Sequence, residues 1–179
     1  MRTFIAIEIH NEKLLNEIAK IQLEFKIKGT AVNKQNMHFT LFFLGEISTE
    51  TAENVKKVLS LISFKKFELG FTHIGAFPNP KFPRIIWAGV NETASKQIID
   101  LANQIENKLE PLGFKPDKPF KPHLTIFRIK DKAIDITQTL EKFKSIDLEK
   151  EVITELKLKQ SILTPNGPIY SDLQVILAK

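Results

Sequence analysis

His38-Phe39-Thr40-Leu41, set in the apolar run from Met37 to Gly45, recurs half a chain later as His123-Leu124-Thr125-Ile126 in the run from Pro119 to Arg128. Both runs have the alternation of a β-strand, in which successive side chains point to opposite faces. Each copy therefore turns an imidazole and a hydroxyl to one face. The pair Phe39/Leu41, or Leu124/Ile126, goes to the other. Two such copies predict a duplicated unit whose halves face each other across one groove. Two imidazoles directed at one point can serve as acid and base.

Outward from these strands, periods of 2 and 3.6 take turns. A strand covers Arg2 to Ile9, and a helix follows with Leu14, Ile18, Ile21 and Phe25 on one stripe, ending around Lys28-Gly29. Beyond the first histidine strand, Ser48 is placed to cap a second helix. Its acidic residues Glu50 and Glu53 lie near the positive end, and Ala52, Val55, Leu59 and Ile62 face inward. Phe67 to Phe71 is a short strand. The prolines of Phe77-Pro78-Asn79-Pro80-Lys81-Phe82-Pro83 remove donors and fix φ, so this segment is a loop leading into a strand from Arg84 to Val90. Ile98, Leu101, Ala102, Ile105 and Leu109 mark a third helix, which Pro111-Leu112-Gly113 stops. From Asp131 to Lys150 the pattern is weakest, with Ile134, Thr137, Leu140 and Phe143 spaced for a short helix. Glu155 to Leu163 and Ile169 to Leu177 form a hairpin around a type I turn in Thr164-Pro165-Asn166-Gly167-Pro168. The order β-α-β-α-β-β-α-β predicts two βαβ-type lobes within one domain over 1–179, with no linker between them.

Composition sets outer bounds. At 179 residues and 42% hydrophobic the chain can build a full core. The lack of cysteine removes disulfides and thiolate zinc sites. The apolar start Thr3 to Ile7 is cut by Glu8, His10 and Glu12, too short for a membrane span or a signal sequence, which points to a cytoplasmic protein with no membrane partner. A net charge of +5 favours an anionic ligand such as RNA or a nucleotide, although lysines on solvated helix faces give the same figure. No phosphate loop, dinucleotide fingerprint, zinc helix or nucleophile elbow is present. No acidic cluster adjoins either His-x-Thr in sequence, so no metal is expected. What remains is acid–base chemistry on His38 and His123.

The repeated His-x-Thr-x resembles the two-histidine phosphoesterase superfamily, and the longer strings resemble its RNA 2′,3′-cyclic phosphodiesterases, the 2′-5′ RNA ligase family. Besides the two motifs, the strings are Arg2-Thr3-Phe4-Ile5-Ala6-Ile7, Leu44-Gly45-Glu46, Phe77-Pro78-Asn79-Pro80, Pro83-Arg84-Ile85-Ile86-Trp87-Ala88-Gly89 and Leu163-Thr164-Pro165-Asn166-Gly167-Pro168-Ile169-Tyr170. The resemblance implies a bilobed, duplicated α+β fold with two antiparallel sheets lining a central cleft and helices outside. It also implies a metal-free, cofactor-free hydrolysis of RNA 2′,3′-cyclic phosphate ends to 2′-phosphomonoesters. It makes His38 the proton donor and His123 the proton acceptor. One departure is Phe127 before Arg128, where relatives often carry a small residue, and this predicts a narrower pocket.

Thr40 and Thr125 suit hydrogen bonding to the non-bridging phosphate oxygens. Arg128 matches the family's arginine and suits a phosphate clamp. Strict alternation places it on the face away from His123, so it reaches the phosphate only if a bulge or the strand end intervenes. His10 and His73 lack a threonine two positions on and are expected to be surface or packing residues. Phe4, Trp87 and Tyr170 are candidates for stacking on a base, against a background of 14 phenylalanines that mostly fill a core. The expected partner is RNA ending in a 2′,3′-cyclic phosphate, or a small cyclic nucleotide, acted on by a monomer. Reversible 2′-5′ ligation fits the same residues, and so does a non-catalytic RNA- or nucleotide-binding module that keeps the cleft.

Overall fold

A computed structural model of the chain describes residues 1–130, 134–165 and 167–179. Strand β1 (Arg2–Glu8) leads to helix α1 (Glu12–Glu24), whose Asn11 cap accepts from the Lys13 and Leu14 amides. The helix ends short of Lys28. Phe25 leaves helical geometry, buries its ring, and sends the chain into β2 (Gly29–Ala31). Then come β3 (His38–Glu46) and α2 (Thr49–Leu59), the latter capped by Ser48 as expected. Strands β4 (Phe67–Leu69), β5 (Phe71–Phe77) and β6 (Ile85–Val90) follow. Helix α3 (Glu92–Leu109) is capped by Asn91 and stopped at Gly113, which adopts φ 87°. The chain closes with β7 (Leu124–Ile129), α4 (Thr137–Glu141), β8 (Glu151–Ile153), β9 (Glu155–Thr164) and β10 (Gly167–Leu177).

The expected turn between the last two strands includes Asn166, which lies outside the described residues, as do 131–133 of the poorly patterned stretch. Among the described residues no helix is long and apolar enough to cross a membrane.

The fold is α+β, with two four-stranded antiparallel sheets in the orders β10-β9-β1-β3 and β2-β7-β6-β5, and a small β4-β8 pair. The lobes are not independent βαβ units. Helix α1 follows β1 of the first sheet but packs against β7 of the second, while α3 leaves the second sheet to pack on β3 of the first. Each sheet must bury one face, and the crossed helices let one apolar cluster serve both. Phe39 and Leu124 are completely buried in it, as the alternation requires. The opposite faces, with the histidines and threonines, border a common cleft.

Two details of the second histidine strand differ from the expected span. Pro119 and Pro122 cannot donate to a ladder, so pairing starts only at Leu124 and His123 stands just before the strand. The ladder then slips by one residue: Ile86 faces Phe127 while Trp87 faces Thr125, which leaves Ile126 as a bulge. Strand β3 does the same at Leu41, since Ile5 faces Phe42 and Ala6 faces Thr40.

Candidate active site

Both histidines are held by the same local device. The Nδ1–H of His38 donates to the Asn36 carbonyl at 2.8 Å, and that of His123 to the Lys121 carbonyl at 2.7 Å. A carbonyl can only accept, so Nδ1 must carry the hydrogen and Nε2 keeps its lone pair in the neutral ring. Rings seal the sides. His38 lies 5.0 Å from the Phe4 ring and 5.3 Å, edge on, from Tyr170, while His123 sits 5.1 Å from Phe77. Burial above all, then Lys159 and Arg128, push the His38 imidazole down to about 4, against the opposing pull of the Asn36 carbonyl and Glu8. His38 is therefore neutral in the free protein at pH 7.

Thr40 and Thr125 follow their histidines onto the cleft face, and Arg128 joins them because of the Ile126 bulge. The extra residue turns Ile126 and Phe127 both into the core and returns Arg128 to the side of Thr125. Phe127 thus corrects an expectation: it does not narrow the pocket but lies beneath β2, where a Cβ on Gly29 would fall 2.3 Å from its ring. The bulge is pinned from behind. The buried Gln22 amide on α1 donates to the Ile126 carbonyl at 2.7 Å and to Val32 at 2.9 Å. Gln22 stands out in the sequence only as a lone amide on the stripe of Ile18, Ile21 and Phe25.

All five residues, His38, Thr40, His123, Thr125 and Arg128, line one cavity of about 340 Å³ that is walled by β10 through Pro168, Ile169 and Tyr170. No carboxylate lines it among the described residues. Arg128 makes no ion pair among them either, so its charge faces the cavity uncompensated. The arrangement can bind a phosphate-sized anion and exchange protons with it from two sides.

An ionic cluster next to His38 was not foreseen. Glu8 is the cross-strand partner of His38 and pairs with Lys157 (2.6 Å) and with the almost fully buried Lys159, which also binds Asp172. Burial pushes the Glu8 carboxyl up, but the two ammonium groups outweigh it and hold it below the usual range. Glu8, His10 and Glu155 are close enough together to share a metal ion, although none of them adjoins a His-x-Thr in sequence. The Lys157 ammonium sits between their carboxylates, 2.6 Å from Glu8 and 3.2 Å from Glu155. On a strand, lysines at 157 and 159 alternating with leucines look like a solvated edge, and only the tertiary partners reveal otherwise.

The remaining candidates divide. His10 is an exposed member of the ionic cluster, and His73 packs edge on against Trp87 at 5.3 Å. Phe4 is buried between His38 and Tyr170, and Trp87 stacks on Phe77 above Gly75, so both support the histidines from the side. Only Tyr170 of the three proposed stacking residues lines the cavity.

Residues 3–175 match the family model described as the AKAP7 2′5′ RNA ligase-like domain. The chain is 40% identical over 177 residues to an RNA 2′,3′-cyclic phosphodiesterase of Archaeoglobus fulgidus, covering 98% of this chain and 99% of that one. It is 40% identical over 174 residues to the protein of the same description from Methanocaldococcus jannaschii, covering 95% and 96%. Among solved structures, Escherichia coli LigT complexed with 3′-AMP superposes with a TM-score of 0.78 at 25% identity, covering 99% of this chain and 97% of that one. With the paired motifs, the crossed α+β fold and these likenesses together, the chain belongs to the 2′5′ RNA ligase-like family.

Proposed function

We propose that the protein hydrolyses RNA 2′,3′-cyclic phosphate ends to 2′-phosphomonoesters without a metal ion, with His38 as proton donor and His123 as the base that activates water. The observation that carries this reading is the shared carbonyl anchor of the two rings, which leaves both Nε2 atoms for one cavity that no carboxylate lines among the described residues. The relatives' descriptions supply the substrate, and the family supplies the order of the two roles.

Attack on phosphorus proceeds in line, so the attacking water and the departing ribose oxygen lie on opposite sides, as the two histidine strands do. His123 takes the proton of water as the new P–O bond forms, and His38 gives a proton to the 3′ oxygen as that bond breaks. Each transfer is worth on the order of 10²–10⁴-fold. Thr40, Thr125 and Arg128 stabilise charge on the non-bridging oxygens. His38 is neutral in the free protein, so its proton arrives with the substrate, whose negative charge favours the imidazolium. A ribose hydroxyl in place of water gives 2′-5′ ligation through the same steps. The cleft is complete within one chain, in keeping with a monomer.

Chelator-treated protein incubated with an RNA ending in 2′,3′-cyclic phosphate should open the ring at an undiminished rate. Activity that disappears in chelator and returns only with a divalent cation would overturn the metal-free mechanism. Tight binding without turnover would establish the non-catalytic alternative.

A further inference from the structure

A second cavity, of about 390 Å³, opens off the catalytic one and shares with it His38, Thr40, Arg128, Pro168 and Tyr170. Its own walls are Arg2, Phe4, Phe43, Ser161 and Leu163. Phe43 is the counterpart in β3 of Arg128 in β7, each five residues past its histidine and each returned to the cleft face by a bulge. The first sheet thus presents a ring where the second presents a guanidinium. That ring is half exposed, and the Arg2 guanidinium lies over it at 5.0 Å.

Arg2 has no carboxylate partner among the described residues. Its cross-strand neighbour Glu46 is paired instead with the Met1 ammonium, at 3.4 Å. Burial holds the Tyr170 hydroxyl in the shared wall above its ordinary range, against the opposing charges of Arg128, Arg2 and Lys159. Two uncompensated guanidiniums bordering one recess with the Phe4, Phe43 and Tyr170 rings in its walls suit a ligand with two anionic groups and a flat ring beside them. A nucleotide with a phosphate on each side has that form.

The proposed mechanism decides which nucleotide. Its leaving oxygen departs toward His38, so the ribose of the substrate lies on the side of the first sheet, next to this recess. Arg2 stands two residues from Phe4 along β1, roughly 6.6 Å of strand beyond the ring that flanks His38. We propose that Arg2, seated on Phe43, holds the phosphodiester on the 5′ side of the terminal nucleotide, so that the enzyme takes oligonucleotide ends in preference to mononucleoside 2′,3′-cyclic phosphates. This rests on the hydrolase reading above and adds to it the residues that select for a phosphodiester on the 5′ side.

The test compares kcat/KM on a diadenylate ending in 2′,3′-cyclic phosphate with kcat/KM on adenosine 2′,3′-cyclic phosphate. The wild type should favour the dinucleotide by on the order of tenfold, the scale of one exposed charged contact. Arg2→Gln should remove most of that preference through KM, Arg2→Lys should restore part of it, and added salt should erode it. Phe43→Leu, which takes away the ring under the guanidinium, should narrow the same ratio by a smaller factor. A wild-type ratio near one, or a ratio unchanged in Arg2→Gln, would overturn the proposal. So would equal losses on both substrates, since these would mark a structural role. If the wild type hydrolyses neither substrate, the hydrolase reading falls and Arg2 is judged separately, by binding of a labelled diadenylate 2′-phosphate. Weaker binding by Arg2→Gln then supports the phosphate contact, and equal affinity rejects it.

Discussion

His38 joins a catalytic assignment to a measurable cost in stability. In the unfolded chain its ring binds a proton near the ordinary 6.5, and in the folded protein only at about 4. Between those values the unfolded chain holds more protons, so stability rises with pH there and is lost as pH falls toward 4. The loss should reach roughly 2–4 kcal/mol, since each pK unit corresponds to about 1.4 kcal/mol. Urea unfolding at pH 7 and pH 4.5 should show this drop in the wild type and a smaller one in His38→Asn. An equal drop in both would show that burial and the Lys159 charge do not act on this ring. That His38 and Thr40 share one face was legible in the repeated His-x-Thr, because strand alternation alone puts ring and hydroxyl together. The low proton affinity of the ring was not, because it comes first from burial, against Phe4 and Tyr170 among others, and then from the Lys159 charge, all supplied by strands distant in sequence from His38.

The decisive features at the level of elements are the bulges. A period of 2 sends Arg128 away from the cleft, and one inserted residue brings it back, a change that leaves no mark on the hydrophobic pattern because Ile126 and Phe127 are both apolar. Gln22 ties this bulge to α1 through the Ile126 carbonyl. Gln22→Leu should cost about 1–3 kcal/mol by leaving polar groups underbonded. It should also reduce phosphate affinity by releasing Arg128, read as a higher KM with kcat less affected. A stable variant with wild-type KM would show that the bulge holds itself. The helices and long strands were readable from their periods and caps, Ser48 included, whereas β2 and β8, at three residues each, are too short to carry a period. Pro119 and Pro122, which cannot donate to a ladder, are the sequence mark of the late start of the second histidine strand at Leu124.

Over the whole molecule, the two sheets bring together motifs half a chain apart, and the crossing of α1 and α3 fixes their distance in one core. The duplication and the cleft were visible in the paired motifs. The crossing was not, since an amphipathic stripe records that a helix is buried and never which sheet covers it. In-line geometry across such a cleft links regiochemistry to the order of acid and base. With His38 protonating the 3′ oxygen, the product should keep its terminal phosphate on treatment with an enzyme that removes only 3′-phosphates. Release of that phosphate would reverse the orientation of the bound ribose. If His38 and His123 form one acid–base unit, a double-mutant cycle on kcat/KM for cyclic-phosphate hydrolysis will read their coupling. Each of His38→Ala and His123→Ala should lower the rate by ~10²–10⁴-fold, and the double variant should fall little below the worse of the two. Near-normal activity in either single variant, or losses that simply multiply, would contradict it.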